Sequence, residues 1–199
     1  EPTAASPRYT GPVEIGKSAR FRATALREGG ENASYSREFA FSKSTGRPAV
    51  LNTKPNDSYT FEGASLLVDG YHSRPVFTSG AWLGYLDEPL DVTIDMGGEQ
   101  SYRSVELETL AEKGDWIFPP SSVTVWVSDN GTDFTEVASV AVPEAKAGDA
   151  DGIGRYRMQF PETSARYLKV VAQNAAAIPA WHPGAGSKGF LFVDEVVVE

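Results

Sequence analysis

The stretch that decides the fold, LLVDGYHSRPVFTSGAWLGYLDEPLDVTIDMG, occupies residues 66–97. It begins with an Asp-Gly turn at Asp69, runs through a long loop to Trp82, and ends in residues 91–96, where apolar and polar side chains alternate. A period of two is typical of a half-buried β-strand, and the following Gly97-Gly98 is expected to end this one. A turn carboxylate, an aromatic plug and a core strand favour a jelly-roll β-sandwich that displays loops at its rim.

The same alternation recurs along the rest of the chain. An Asn-Gly pair at Asn130 supplies the positive φ angles of a tight hairpin turn. No amphipathic helix is evident, and repeated short strands with turns between them indicate an all-β sandwich or barrel. The further segments with a strand pattern are residues 105–109, 123–127, 155–160, 168–172 and 190–198.

Charge and composition exclude several classes of function. The chain has 199 residues, a net charge of −9 and no cysteine, so disulfides, thiol nucleophiles and cysteine-based zinc sites are excluded. Residues 1–46 carry seven Lys/Arg and five Glu, whereas the rest carries 11 basic and 22 acidic residues. Nucleic acids and anionic membranes require clustered basic residues, so we expect neither as a partner of the acidic part.

The charge asymmetry also predicts two domains, residues 1–45 and 46–199. Within the first, two alternating segments around Phe21 and Phe39 predict a hairpin whose turn is Gly29-Gly30-Glu31-Asn32. So few strands are expected to form only part of a domain. Residues 42–48 (SKSTGRP) have the composition of a linker.

Four blocks in order resemble the discoidin-like domain of coagulation factors (type C domain): the Asp-Gly turn with Trp82 and IDMG, then VWVSDNGTDF, ARYLKVVAQN and LFVDEVVVE. Within that family, the chain looks most similar to family 32 carbohydrate-binding modules of bacterial glycosidases. The segment EPTAASPRYTGPVEI and the two strands after it resemble the later part of a small fibronectin III-like β-sandwich in chitobiase-type β-hexosaminidases. We therefore expect residues 1–45 to be part of such a domain and the chain to begin inside it.

The last strand predicts a buried carboxylate. Strict alternation places Asp194 on one face and Glu195 on the other, so one of them points inward. A buried carboxylate needs a cation or several donors. The resemblance implies a structural Ca²⁺ held by Asp69 and Glu195, with backbone carbonyls near Leu66 and His72–Ser73, and all-oxygen ligation suits that ion. The alternative from the residues is a salt bridge from Glu195 to Arg74 or Arg166.

A second candidate site is an aromatic rim. The resemblance implies that ligands meet two loops, residues 110–120 (LAEKGDWIFPP) and 177–189 (AIPAWHPGAGSKG). An indole suits the apolar face of a sugar ring, particularly beside hydrogen-bonding groups. The predicted contacts are Trp116, Trp181 and His182, with Asp115 and Lys113 as polar partners. The alternative is that these residues pack the two loops together or against a catalytic domain.

The resemblance therefore implies a non-catalytic accessory region of a secreted, periplasmic or cell-surface bacterial glycoside hydrolase. We expect it to bind terminal galactose- or N-acetylhexosamine-type glycans, with the catalytic domain of a β-N-acetylhexosaminidase or α-fucosidase as its covalent partner. Asp194 and Glu195 are adjacent on a strand and so cannot flank one glycosidic bond, which argues against catalysis. The alternative function is a structural module that packs on the same enzyme without binding sugar.

Overall fold

The computed structural model describes residues 2–26 and 33–199, so the turn predicted at Gly29-Gly30-Glu31-Asn32 lies outside the described residues. The chain divides into two compact units, Glu1–Phe41 and Ser42–Glu199. The predicted all-β class is confirmed, since the described helical segments are all short 3₁₀ turns. Those turns are Asp57–Tyr59, Gly63–Val68, Phe77–Ser79 and Lys113–Asp115. The strands are β1 (Ala19–Ala25), β2 (Ala33–Phe39), β3 (Ala49–Leu51), β4 (Leu83–Tyr85), β5 (Leu90–Ala111), β6 (Ser122–Ser128), β7 (Thr135–Ala141), β8 (Gly152–Gln173) and β9 (Leu191–Val198).

The first unit contains an antiparallel pair of strands, β1 and β2. Phe21 lies opposite Arg37, and Ala23 lies opposite Tyr35, so these four side chains share one face of the ribbon. The other face is polar and carries an ion pair between Arg20 and Glu38 at 2.6 Å. The predicted alternation of the two strands is confirmed.

The second unit is built around two long antiparallel strands, β5 and β8. The first part of β5 pairs with β3 and with the last part of β8, which continues through β6 to β7. The last part of β5 pairs with the first part of β8 and with β9, and β9 in turn pairs with β4. The two long strands thereby belong to both sheets of a β-sandwich.

The predicted end of a strand at Gly97-Gly98 is wrong, because β5 continues from Leu90 to Ala111. The pairing of β5 with β8 instead shifts register between Asp95 and Gln100. Gly97 has a φ angle of 80°, a conformation that only glycine adopts readily. This glycine therefore makes a bulge that lets one strand pass from one sheet to the other.

The predicted linker at residues 42–48 is also wrong, because this segment belongs to the second unit. The Lys43 backbone N–H donates to the Val198 carbonyl at 2.9 Å, and the buried Ser44 hydroxyl donates to the Val196 carbonyl. Hydroxyl-rich turn residues suit a linker, but they can equally bond to a strand. The unit boundary accordingly lies at 41/42 rather than 45/46.

The core of the second unit lies between its sheets and consists mainly of aliphatic side chains from β5, β6, β8 and β9. Trp82 and Tyr85 are fully buried, so the aromatic plug predicted after the long loop is confirmed. In the described part of the chain, no helix has both the length and the apolar character needed to cross a membrane.

Candidate functional site

The loop after β5 holds Trp116 in an unusual backbone conformation. Glu112 and Ile117 exchange two backbone hydrogen bonds, and the 3₁₀ turn Lys113–Asp115 fills the space between them. Trp116 closes the turn with a φ angle of 64° and ψ of 25°. A left-handed conformation is rare for a bulky residue and costs on the order of 1–3 kcal/mol. Strain of this kind is often found at binding sites.

Lys113 connects this loop to Asp149 and Asp151. Its ammonium group is buried and donates to the Asp149 carbonyl at 2.9 Å and to the Asp151 carboxylate. The Lys113 backbone N–H donates to the same carboxylate at 3.2 Å. These bonds place Lys113 in the support of the loop, whereas the sequence predicted a polar contact with ligand.

His182 joins the second loop to the first. Its Nε2 lies 2.9 Å from the Lys113 carbonyl oxygen, and its Nδ1 lies 3.0 Å from the Gly184 backbone nitrogen. A carbonyl only accepts and a backbone N–H only donates, so these partners assign a neutral ring with its proton on Nε2. Both ring nitrogens are therefore used within the protein, and the ligand contact by His182 stays a prediction.

Trp116, Phe118, Trp181 and His182 form an aromatic cluster at the rim. The His182 ring is nearly perpendicular to the two indoles, with centroid distances of 6.1 Å to Trp116 and 5.6 Å to Trp181. The Phe118 ring lies 5.5 Å from that of His182 and is buried. The structure thus brings the two predicted tryptophans to one imidazole, and Phe118 is a member that the sequence reasoning missed.

Both tryptophans of the aromatic cluster remain open to solvent, with exposed fractions of 43% for Trp116 and 39% for Trp181. The Trp181 indole N–H donates to the Ala145 carbonyl at 2.9 Å, which fixes the ring plane. A Cβ built on Gly184 would lie 2.8 Å from Trp116 Cζ2, so the ring packs directly on that glycine. Large apolar rings are thereby held in place at the surface.

Asp115, the remaining predicted contact, is exposed next to Trp116. Desolvation by burial raises the pKa of Glu112, and the nearby Asp115 carboxylate raises it further. The surroundings of Trp116 are therefore acidic. Asp115 faces solvent, whereas Lys113, the other predicted polar partner, is buried.

The last strand carries two buried carboxylates in place of the one predicted. Asp194 and Glu195 have exposed fractions of 1% and 0%. In the pairing of β5 with β9, these two residues stand opposite Glu108 alone, because Leu107 pairs with Val196 and Thr109 with Val193. This bulge breaks the alternation of the strand. The prediction that strict alternation turns only one of the two carboxylates inward is therefore wrong.

Both carboxylates bind the loop that follows the Asp-Gly turn. Asp194 accepts from the Ser73 backbone N–H at 2.7 Å and from the Ser73 hydroxyl at 3.1 Å. Glu195 accepts from the Gly70 backbone N–H, which lies 3.3 Å from each of its two oxygens. No cationic side chain lies within salt-bridge distance of either carboxylate among the described residues, and Arg166 pairs with Asp95. The alternative of a salt bridge from Glu195 is wrong.

Burial raises the pKa of both groups far above the usual carboxyl range. The pKa of Asp194 rises to about 8 and that of Glu195 to about 10, with desolvation as the main cause and neighbouring carboxylates such as Asp69 and Glu108 adding to it. Glu108 itself is buried and bonds to His72 Nδ1 at 2.9 Å and to Arg155 at 2.8 Å. That hydrogen bond to Glu108 raises the pKa of His72.

The family model of the F5/8 type C domain matches residues 52–188. The chain belongs to the F5/8 type C domain family. The match includes Asp69 and both loops that form the aromatic cluster, and it ends shortly before β9.

Solved structures share the F5/8 type C fold at low sequence identity. One is a family 32 carbohydrate-binding module from Clostridium perfringens in complex with GalNAc-β-1,3-galactose, 16% identical over 76% of this chain and 93% of that chain, with a TM-score of 0.50. The second chitosan-binding module of a chitosanase/glucanase from Paenibacillus sp. IK-5, in complex with chitotriose, is 17% identical over 79% of this chain and 98% of that chain, with a TM-score of 0.51. The first module of the same enzyme is 16% identical over the same shares, with a TM-score of 0.50. No curated protein matches the chain.

The residues of this F5/8 type C domain fit a bound Ca²⁺ in their chemistry. Glu195 is a fully buried carboxylate whose oxygens contact only a backbone N–H, and Asp69 lies close enough to raise its pKa. In the part of the chain that the structure describes, no group of three or more Asp, Glu or His side chains is placed to bind a metal ion.

Proposed function

We propose that this F5/8 type C domain is a non-catalytic carbohydrate-binding module and that Trp116 and Trp181 contact the sugar. The observation that carries the proposal is the aromatic cluster, in which two half-exposed indoles both pack against the ring of His182. Indoles fixed in this way offer apolar area at little cost in side-chain entropy, because their rotamers are set before binding.

The polar groups of the site have different roles in this proposal. Asp115 is exposed beside Trp116 and accepts hydrogen bonds from sugar hydroxyls. Lys113 and His182 are buried and paired internally, so they set the positions of the two loops without touching the ligand. A hydrolytic role for Asp194 and Glu195 is unfavourable because their burial keeps a glycosidic bond away from both.

The biological context that we propose is an accessory region of a secreted, periplasmic or cell-surface bacterial glycoside hydrolase, such as a β-N-acetylhexosaminidase. Weak binding of a terminal galactose- or N-acetylhexosamine-type sugar would hold the linked catalytic domain near its substrate and raise its effective concentration. Support comes from two structural neighbours, whose complexes contain GalNAc-β-1,3-galactose and chitotriose.

We also propose a structural Ca²⁺ bound by Asp69 and Glu195, with carbonyls near Leu66 and His72–Ser73. The ion would neutralise buried negative charge and fix the loop after the Asp-Gly turn to β9. This site is separate from the aromatic cluster, so it acts on stability and loop order.

The test of the proposed function is a glycan-array screen followed by calorimetric titration of Trp116→Ala and Trp181→Ala. Removing an aromatic group at the centre of an interface costs about 2 kcal/mol or more, so each variant is expected to lose roughly 30-fold in affinity. Phe61→Ala is the matched control, because Phe61 is an aromatic residue outside the cluster with an exposed fraction of 46%. It should bind as the unmodified protein does.

Two outcomes would contradict the proposal. Folded protein that binds no glycan would favour the alternative of a structural packing module. Glycan binding that survives both tryptophan substitutions would place the site elsewhere on the domain.

A further inference from the structure

A groove opens beside the aromatic cluster. It has a volume of about 440 Å³ and is lined mainly by proline and alanine side chains, among them Pro119, Pro120, Pro143, Pro179 and residues 175–177. This volume falls in the range of ligand pockets, about 300–1,000 Å³. The size alone therefore allows a ligand group to be enclosed in it.

The groove begins where the aromatic cluster ends. Phe118 and Ala145 both line the groove. The Phe118 ring lies 6.3 Å from that of Trp181, and the Ala145 carbonyl accepts the Trp181 indole N–H at 2.9 Å. The groove therefore shares Phe118 with the aromatic cluster and adjoins Trp181 at Phe118 and Ala145, which is the basis for a ligand that extends from one to the other.

The walls of the groove are pre-formed by backbone hydrogen bonds. Ser121 donates its N–H to the Gln173 carbonyl at 2.8 Å and accepts the Val142 N–H on its own carbonyl at 2.9 Å. Ile178, which also lines the groove, donates its N–H to the Ser187 carbonyl at 2.8 Å. Proline in the lining further restricts backbone motion. Little ordering entropy is then lost when a ligand enters.

The charges around the groove favour an uncharged ligand. Glu144 is the only ionisable side chain in its lining and is exposed at the rim. Asp149 and Asp115 add negative charge along the loops of the aromatic cluster, the Lys113–Asp151 ion pair adds none, and the exposed Lys146 offsets only part of it. An anionic sugar such as a uronic or sialic acid would therefore be repelled.

We propose that the groove is a second sugar subsite and that the ligand is an uncharged oligosaccharide of at least two units, one at the exposed tryptophans and the next in the groove. This proposal rests on the proposed function. It extends that function from a terminal sugar to the sugar unit next to it, which would occupy the groove.

The test compares free galactose, GalNAc and GlcNAc with lactose, GalNAc-β-1,3-galactose, chitobiose and chitotriose by calorimetric titration. We expect at least one oligosaccharide to bind 10-fold or more tightly than its component monosaccharides. Ala177→Trp fills the groove and should lower that affinity to the monosaccharide level. Ala147→Trp, at an exposed alanine of the acidic loop outside the groove lining, is the matched control and should change neither affinity.

The outcomes separate the two proposals. Equal affinity for mono- and oligosaccharides, or oligosaccharide binding that is unchanged in both Ala177→Trp and a second blocking variant, Ala176→Tyr, would overturn the second subsite and leave the sugar site standing. Tighter binding of 3′-sialyllactose than of lactose would overturn the charge argument. If no sugar binds the folded protein, both proposals fail.

Discussion

The aromatic cluster and the two carboxylates of β9 differ in their exposure to solvent, and in both cases that exposure is unfavourable for the type of side chain. Trp116 and Trp181 expose apolar rings, whereas Asp194 and Glu195 withdraw charge-bearing groups from solvent. The polar atoms of His182 and Lys113 are hydrogen-bonded within the protein, so the exposed rings are the part of the aromatic cluster available to a ligand. The hydrogen bonds described for Asp194 and Glu195 come from Ser73 and Gly70, in the segment that begins at the Asp-Gly turn.

From this difference we expect the aromatic cluster to affect ligand binding and the carboxylates of β9 to affect the stability of the fold. Burying a carboxylate without a cation is unfavourable, so changes at Glu195 should appear in stability. Exposing a rigid indole costs less, and its removal should appear in binding. Substitutions in the two regions should therefore separate into effects on stability and effects on binding.

The largest expected effect is on stability and concerns calcium. A ligand at 100 times its Kd stabilises the folded state by about 2.7 kcal/mol, which corresponds to a Tm increase of roughly 5–10 °C for a domain of this size. Thermal melting in calcium and in EDTA should show this difference for the unmodified protein and not for Glu195→Gln. The exposed Glu136→Gln is the matched control and should retain the calcium response. Equal Tm values of the unmodified protein in calcium and EDTA would contradict the proposed ion.

The second prediction concerns pH in EDTA. The folded-state pKa values of about 8 for Asp194 and about 10 for Glu195 lie above the usual values near 4, so folded protein binds more protons than unfolded protein across this interval. The free energy of unfolding must then fall as pH rises. His72 acts in the same direction, because its raised pKa means that stabilisation by Glu108 is lost as pH rises through that pKa.

The measurement is Tm at pH 5 and pH 8. In EDTA we expect a Tm at least about 4 °C lower at pH 8, and calcium should reduce the difference. Carboxyls with lowered pKa values, such as Asp95 at about 2, do not titrate in this interval and add no slope. A Tm in EDTA that rises from pH 5 to pH 8 would show that the carboxylates are solvated or ionised in the folded state.

The third prediction concerns the ring of His182, which packs against both tryptophans. His182→Ala removes the support of both indoles and leaves the Lys113 carbonyl without its donor, at a cost of about 1–3 kcal/mol. We expect roughly a 10-fold loss of sugar affinity together with a Tm lower by a few degrees. His182→Gln keeps a donor and should recover part of the affinity. Unchanged affinity in His182→Ala would show that the ring does not position the tryptophans.

The smallest effect is expected from one methyl group. The Cβ of Gly184→Ala would lie 2.8 Å from Trp116 Cζ2, and the exposed indole can move aside. Sugar affinity should fall about threefold, well under 1.4 kcal/mol, with no measurable change in Tm. Gly114→Ala in the same loop as Trp116 is the matched control, because its added methyl group meets nothing within 4 Å. Identical affinities of the two variants would show that Trp116 does not depend on this contact.

The sequence predicted the fold well because most strands carry a clear alternation. The alternating segments of β6 and β8 and the four blocks of the family resemblance depend on residues close together in the chain. The local sequence alone did not decide whether Trp116 and Trp181 are exposed, because Trp82 also follows a loop with Pro and Gly and is fully buried.

Features that depend on distant partners were missed. The bulge at Asp194 and Glu195 depends on their pairing with Glu108, and alternation within β9 gives no sign of it. The internal pairing of Lys113 depends on the approach of Asp151 from another loop. The groove is likewise formed by segments that are distant in the chain, around Phe118, Ala145 and residues 175–180, so no local pattern indicated it.

The most direct test of the account is an NMR titration that follows the four indole N–H signals. Trp116 and Trp181 lie in the proposed site, Trp82 is fully buried, and Trp126 is half-buried on β6. With an uncharged oligosaccharide such as GalNAc-β-1,3-galactose or chitotriose, the signals of Trp116 and Trp181 should shift together, with one Kd, while those of Trp82 and Trp126 stay in place. A titration in which a bound sugar moves neither Trp116 nor Trp181 would contradict the central claim.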